Sequence, residues 1–272
     1  MTPRTAGRAR RTLHLTGAAV AALLVLNACS SSDDTSGSGS SASGPAQVSG
    51  TVTVFAAASL QESFTALGER FEKAHPGTEV VFNFGGSDTL AASITSGAPA
   101  DVFAAASSKT MTIVTDAKDN ASAPVTFARN QLAIATLPGN PDQVTSLKDL
   151  AKSGLKVVLC DRTVPCGAAA QKALDASGIR LTPVSYEQDV KSALIKVELK
   201  EADAAVVYRT DVRAAGDKVE GVDFPESADA VNDYPIAPLK DAPNTEAAKA
   251  FITLVRSAEG QKALTEAGFL TP

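Results

Sequence analysis

The feature that most constrains this chain is a pattern that occurs twice: a short β-branched or apolar run, a sharp turn, then an amphipathic helix. Thr51-Val-Thr-Val-Phe55 follows Gly50, and Leu60, Phe64, Leu67 and Phe71 then fall on one helical face. His75-Pro76-Gly77 stops that helix. Glu79-Val-Val-Phe-Asn-Phe84 is the next strand, Gly85-Gly86 breaks it, and Leu90 and Ile94 begin a second helix before Ala100-Asp-Val-Phe-Ala104. The second block repeats the order. Gln131–Thr136 and Leu155–Leu159 are strands, Ala168–Ala176 is an alanine-rich helix ended by Ser177-Gly178, and Val190, Ala193, Leu194 and Val197 mark another helix. Ala204-Ala-Val-Val-Tyr208 closes the block as an apolar strand. Strands joined through helices form a mostly parallel sheet covered on its faces. Tyr234-Pro-Ile-Ala-Pro238 is held extended by its prolines, and the last 30 residues read as two helices.

This grammar predicts an α/β protein of two lobes. Residues 47–128 plus 232–272 form the first and residues 129–231 the second. Ligands of such folds sit at the C-terminal ends of strands, here in the cleft between lobes.

The segment before the first lobe reads as an address and a tether. Arg4, Arg8, Arg10 and Arg11 precede an apolar stretch, Leu15–Leu26, which is short for a membrane span and has signal-peptide proportions. It ends in Leu26-Asn27-Ala28-Cys29, which resembles a bacterial lipobox. Residues 1–28 are then a signal peptide and Cys29 the lipidated first residue. Arg10-Arg11 offers only a poor match to a twin-arginine export signal. Residues 30–45 hold eight Ser and three Gly, too polar to bury a core, so residues 29–46 are the anchor and a flexible tether. The working part lies outside the cytoplasm, on the outer face of the cell membrane.

Without the four leader arginines the chain carries 21 basic and 30 acidic residues, the wrong balance for a nucleic-acid partner. Beyond the leader His75 is alone, which excludes multi-His metal sites and leaves a His-based enzyme one candidate base. No G-x-S-x-G elbow accompanies it. Cys160 and Cys166 are an even pair in an oxidising compartment and a disulfide candidate, with Pro165 permitting the turn.

Four strand-to-helix junctions offer backbone N–H groups and hydroxyls with few charges. Ser59 precedes the Leu60 helix, with Glu62 placed for a capping box. Gly85-Gly86-Ser87, Pro165-Cys166-Gly167 and Ser185–Asp189 lead into the other three helices. In the second block Ser146 and Asp149 are spaced to cap a short helix. Helix N-termini carry unsatisfied donors and partial positive charge, so several converging on one cleft make an anion site without Lys or Arg.

At these same residues the chain resembles the molybdate-binding proteins of ABC importers. The matching stretches are Val54-Phe-Ala-Ala-Ala-Ser-Leu60, Phe84-Gly-Gly-Ser-Asp-Thr-Leu-Ala91, Gly97-Ala-Pro-Ala-Asp-Val-Phe103, Val190-Lys-Ser-Ala-Leu194, Val206-Val-Tyr208 and Tyr234-Pro-Ile. They span nearly all of residues 50–270. The resemblance implies a type II periplasmic-binding-protein fold that closes on its ligand by hinge motion. It implies hydroxyl and backbone donors from Ser59 and Ser87, backbone N–H groups from Cys166 and Val190, and the phenol of Tyr208. It further implies a monomeric, non-enzymatic receptor that needs no cofactor. Molybdenum enters only as the bound oxyanion, with tungstate alongside molybdate, and is handed to a membrane permease driven by a cytoplasmic ATPase. Asp88 departs from the neutral residue many relatives carry; facing the cleft, it would shift preference toward phosphate. A Cys160–Cys166 bond would tie a ligand loop to the redox state. The alternatives are a receptor for phosphate or sulfate and, more remotely, a Ser-based hydrolase.

Overall fold

The computed structural model describes residues 48–272, so the signal peptide, Cys29 and the whole tether lie outside the described residues. The chain runs β1 (Gly50–Ala57), α1 (Gln61–Ala74), β2 (Thr78–Gly85), α2 (Ser87–Thr95), β3 (Val102–Ala104), α3 (Ser108–Asp116), β4 (Val125–Asn130), β5 (Leu132–Thr136), β6 (Val157–Cys160) and α4 (Pro165–Ser177). It continues through β7 (Ser185–Glu187), α5 (Val190–Glu198), β8 (Ala204–Tyr208), α6 (Arg209–Ala215), β9 (Glu220–Val222), β10 (Asn232–Pro238), α7 (Thr245–Arg256) and α8 (Ala258–Glu266).

Two five-stranded sheets result, ordered β2-β1-β3-β10-β4 and β7-β6-β8-β5-β9. In the first, β1 pairs in parallel with β2 and β3, and only β10 runs against its neighbours. In the second, β6 is parallel to β7 and β8, and β5 is the reversed strand. Each sheet therefore keeps four strands in one direction, as the alternating pattern requires. The chain passes from the first sheet to the second at Gln131, and returns through residues 223–231.

Each sheet has its own core. Val52, Val54, Phe64, Phe71, Phe127 and Phe251 fill the first, with the Phe251 ring edge-on to Phe64 and Phe71 at 5.7 and 5.6 Å. Ile134, Val158, Leu174, Leu194 and Val206 belong to the second. α4 shows how the local code works: Pro165 occupies the first turn, where its missing N–H costs nothing, and Gly178 ends the helix in the left-handed conformation, φ 67°. In β10 the register shifts between Tyr234 and Pro235, where proline withholds an N–H from the ladder.

Two expected caps are not formed. Ser59 lies inside a 3-10 turn, Ala58–Leu60, and Leu60 is the N-cap of α1, without a side-chain cap. Glu62 instead faces Lys191 of the other lobe. Ser146 does not cap its helix through its side chain; Asp149 reaches back to accept from Thr145 N and Oγ1 and from Ser146 Oγ. Among the described residues no helix is long and apolar enough to cross a membrane.

Candidate anion-binding cleft

The parallel strands of both sheets end at one place. Ala57 closes β1, Gly85 closes β2, Ala106 follows β3, Cys166 follows β6, Asp189 follows β7 and Tyr208 closes β8. These residues, with Ala58, Gly86, Ser87, Val164, Pro165 and Val190, line a cavity of about 20 Å³. Space on that scale suits a ligand of a few heavy atoms. A groove of about 540 Å³ in the second lobe, lined in part by Arg162, Asp175 and Tyr186, is larger but contains none of the expected ligands. The small cavity is the one that the fold builds.

Of the five residues expected there, Ser87, Cys166, Val190 and Tyr208 line the cavity. Ser59 does not; it follows Ala58, which does, and its Oγ is 2.8 Å from Tyr234 Oη. Ser87 and Val190 are the first residues of α2 and α5, and Cys166 the second of α4, so their N–H groups have no acceptor within the helix. Three helix N-termini of nine or more residues thus meet at one point. No lysine or arginine is among the lining residues. Asp189 is the one carboxylate in the lining, and both of its oxygens are occupied, accepting from Ser192 N at 2.9 Å and Ser192 Oγ at 3.0 Å. Asp88 is not in the lining, although its Oδ1 is buried without a hydrogen-bond partner.

Tyr208 is 1% exposed, and burial holds its phenol well above the ordinary range, so it stays protonated and able to donate. Asn232 Nδ2 donates to its Oη at 2.7 Å. The Cys160–Cys166 disulfide is formed, with Cα atoms 5.8 Å apart, and ties the end of β6 to the start of α4. His75 packs against Phe71 in the turn after α1, away from the cavity.

Sequence pattern did not foresee the charged group behind the cleft. Lys191 Nζ in the second lobe reaches Glu62 Oε1 at 2.8 Å in the first, and Asp211 Oδ1 at 3.2 Å. Asp211 is fully buried; its Oδ2 accepts from Tyr208 N, while its Oδ1 is close to the ammonium without a well-directed bond. Burial would lower the Lys191 pKa, but Asp211 and Glu62 outweigh it and raise it. Burial pushes Asp211 up to about 6, against the opposing pull of Lys191 and the Tyr208 N–H. A carboxyl whose folded pKa exceeds its unfolded value of 3.8 holds its proton more tightly in the native state. Its ionisation costs stability near neutral pH, and that cost is relieved as pH falls through 6 toward 4. Two units correspond to about 3 kcal/mol. Wild type should therefore gain up to that much relative to Asp211→Asn between about pH 7 and pH 4. Urea unfolding of both proteins across that range checks it, and a pH-independent difference would show that the buried charge is not strained.

The comparisons with known proteins agree with this architecture. Residues 52–270 match the family described as bacterial extracellular solute-binding protein. The chain belongs to that family. It is 43% identical over 264 residues to the molybdate-binding protein ModA of Mycobacterium tuberculosis strain H37Rv, covering 96% of this chain and 100% of that protein. It is 32% identical to the protein of the same name from Escherichia coli K12, covering 81% of this chain and 89% of that one. Among solved structures, the periplasmic molybdate-binding protein of Azotobacter vinelandii superimposes with a TM-score of 0.71 at 21% identity, covering 81% of this chain and 99% of that chain. That last likeness carries the two-lobed fold.

Proposed function

We propose that this protein is an extracytoplasmic receptor, not an enzyme, that captures molybdate, and tungstate with it, and delivers the anion to an ABC importer permease powered by its ATPase. The observation that carries this reading is the cavity wall: hydroxyls and helix N-terminal N–H groups from both lobes, with no basic side chain. Molybdate is a tetrahedral dianion that only accepts hydrogen bonds near neutral pH. Fixed neutral donors satisfy it without the cost of burying a counter-charge. Ser87, Tyr208 and the N–H groups of Cys166 and Val190 supply the donors. Ser59 joins them, because Tyr234 can fill its acceptor side and leave its proton for the ligand. Anchoring at a lipidated Cys29, with residues 30–46 as tether, keeps the receptor at the membrane surface as a monomer.

Calorimetric titration of the ligand-free protein with molybdate, tungstate, sulfate and phosphate tests the reading. One-to-one tight binding of the first two is expected, with sulfate weak. Tyr208→Phe should weaken molybdate about tenfold to a hundredfold, the range for losing one hydrogen bond to a charged group. A second reading, a phosphate receptor, draws on the unpartnered Oδ1 of Asp88, which could accept a ligand proton. Binding of phosphate in preference to molybdate would establish it.

A further inference from the structure

A hydroxyl is donor and acceptor at once until its surroundings fix its role. Here they fix it from behind. Asn232, the first residue of β10, has its Nδ2 2.7 Å from Tyr208 Oη and 3.3 Å from the Pro165 carbonyl oxygen. A carbonyl only accepts, so the amide presents its NH₂ to both, and Tyr208 Oη is the acceptor in their contact. Ser87 Oγ accepts the Ala106 N–H at 3.0 Å, a donor that cannot reverse. Asn130 repeats the device one layer deeper. Its Oδ1 takes the Gln131 N–H at 3.0 Å, which turns its Nδ2 toward Tyr234 Oη at 3.3 Å. With that side filled, Tyr234 Oη is free to donate its hydrogen bond to Ser59 Oγ, 2.8 Å away.

We propose that Asn232 is a specificity-determining positioning residue: by filling the acceptor side of Tyr208 Oη it makes that phenol a donor toward the cleft, and so sets the cavity against tetrahedral anions that still carry a proton. The inference rests on the oxyanion reading above. A hydrogen phosphate entering a wall of fixed donors brings one P–O–H that finds no free acceptor among the lining hydroxyls, and a buried unsatisfied proton is penalised. Molybdate and sulfate bring no such proton. Asn232 therefore acts on the choice among anions of equal charge, through an atom it holds and not through contact with the ligand.

The test compares molybdate, sulfate and inorganic phosphate at about pH 8, where all three are mainly dianions and only phosphate keeps a proton. Charge effects then cancel in the affinity ratios. In Asn232→Leu the phenol oxygen regains a free acceptor side. The molybdate-to-phosphate ratio should narrow at least about fivefold while the molybdate-to-sulfate ratio stays within about twofold of wild type, as expected for a site that turns on one buried hydrogen bond. Asn232→Asp preserves the shape and draws the phenol proton back, so it should narrow the ratio further, and it stands in if the leucine variant does not fold. In a Tyr208→Phe background the effect of Asn232→Leu on the ratio should vanish. A purely structural role, such as the contact with Pro165 across the lobes, would persist there. Tight molybdate binding by the wild type with unchanged ratios in both Asn232 variants overturns the inference alone, as does an effect undiminished by Tyr208→Phe. No molybdate binding by the wild type takes down the oxyanion reading and the inference with it.

Discussion

Gly86→Ala is expected to weaken molybdate binding by roughly a hundredfold and to leave the ligand-free protein almost as stable as before. Gly86 is the N-cap of α2, with φ −60° and ψ 129°, a conformation any residue adopts, so alanine brings no backbone strain. The obstacle is across the cleft. A Cβ at residue 86 would lie 2.5 Å from the Gln188 carbonyl oxygen and 3.3 Å from a Val164 methyl, both in the second lobe, and 2.8 Å from Asp88 Oδ1 in its own. The Asp88 side chain can swing aside. The Gln188 carbonyl belongs to backbone between β7 and α5 and retreats only if the lobes part. Overpacking of this kind costs about 1–3 kcal/mol. With the hinge motion that the family resemblance implies, the cost would fall on the arrangement in which the lobes meet, because parting them relieves the contact. Calorimetry and thermal unfolding on the same variant separate the two effects. A fall in melting temperature without ligand comparable to that of a core substitution would place the clash inside one lobe. Unchanged affinity would mean that the lobes need not approach this closely to hold the anion.

The contrast between Gly86 and its neighbours shows how far the site was legible in the sequence. The order of strand, glycine or serine turn and helix placed Ser87, Cys166, Val190 and Tyr208 at strand ends, and α/β topology gathers strand ends by geometry. Those four meet in the cavity. What sits behind them was not legible, because periodicity reports the face of an element and not its partner in another sheet. Tyr234 is 175 residues from Ser59, and Asn130 is 104 residues from Tyr234. The capping box at Ser59 and Glu62 failed for the same reason: a tertiary partner, Lys191, took the Glu62 carboxylate that local chemistry had assigned to the helix end. Elements with weak local signals were also passed over. α3 buries only Thr110, Met111 and Val114, though Ser107 caps it by accepting from Thr110 N. β4 carries Arg129, which is on the surface and paired with Asp233, and β9 is three residues with a glycine at its centre. α6 is a seven-residue helix starting where β8 ends, set by the Asp211 carboxylate accepting from the Tyr208 N–H.

Gly167→Ala should be the most damaging single change in the ligand loops, lowering stability by about 3 kcal/mol or more, at or beyond the upper end of ordinary overpacking. A Cβ there would overlap the Asp161 carbonyl oxygen and come within 2.5 Å of the Cys160 carbonyl oxygen. Neither atom is the free end of a side chain. Asp161 is held in place by its N–H on Glu187 O at 2.8 Å, by Val164 N on its own carbonyl at 3.1 Å, and by Thr163 on its carboxylate. Relief requires α4 to move away from β6, carrying the Cys166 N–H out of the cavity. Affinity for molybdate should therefore fall with stability, by about tenfold or more. Reducing the Cys160–Cys166 bond gives a sharper comparison. A loop this short restricts the unfolded chain by about 2 kcal/mol on the chain-entropy account. The folded turn keeps the hydrogen bonds around Asp161 and the close contact at Gly167, so the N–H of Cys166 stays in place. Stability should drop on reduction while affinity, measured well below the melting temperature, changes less than about threefold; that is the magnitude expected when only the unfolded state is released. A loss of affinity on reduction as large as that of Gly167→Ala would mean that the disulfide, and not the packing at Gly167, holds the donor in position, and would make ligand capture directly sensitive to the redox state outside the cell.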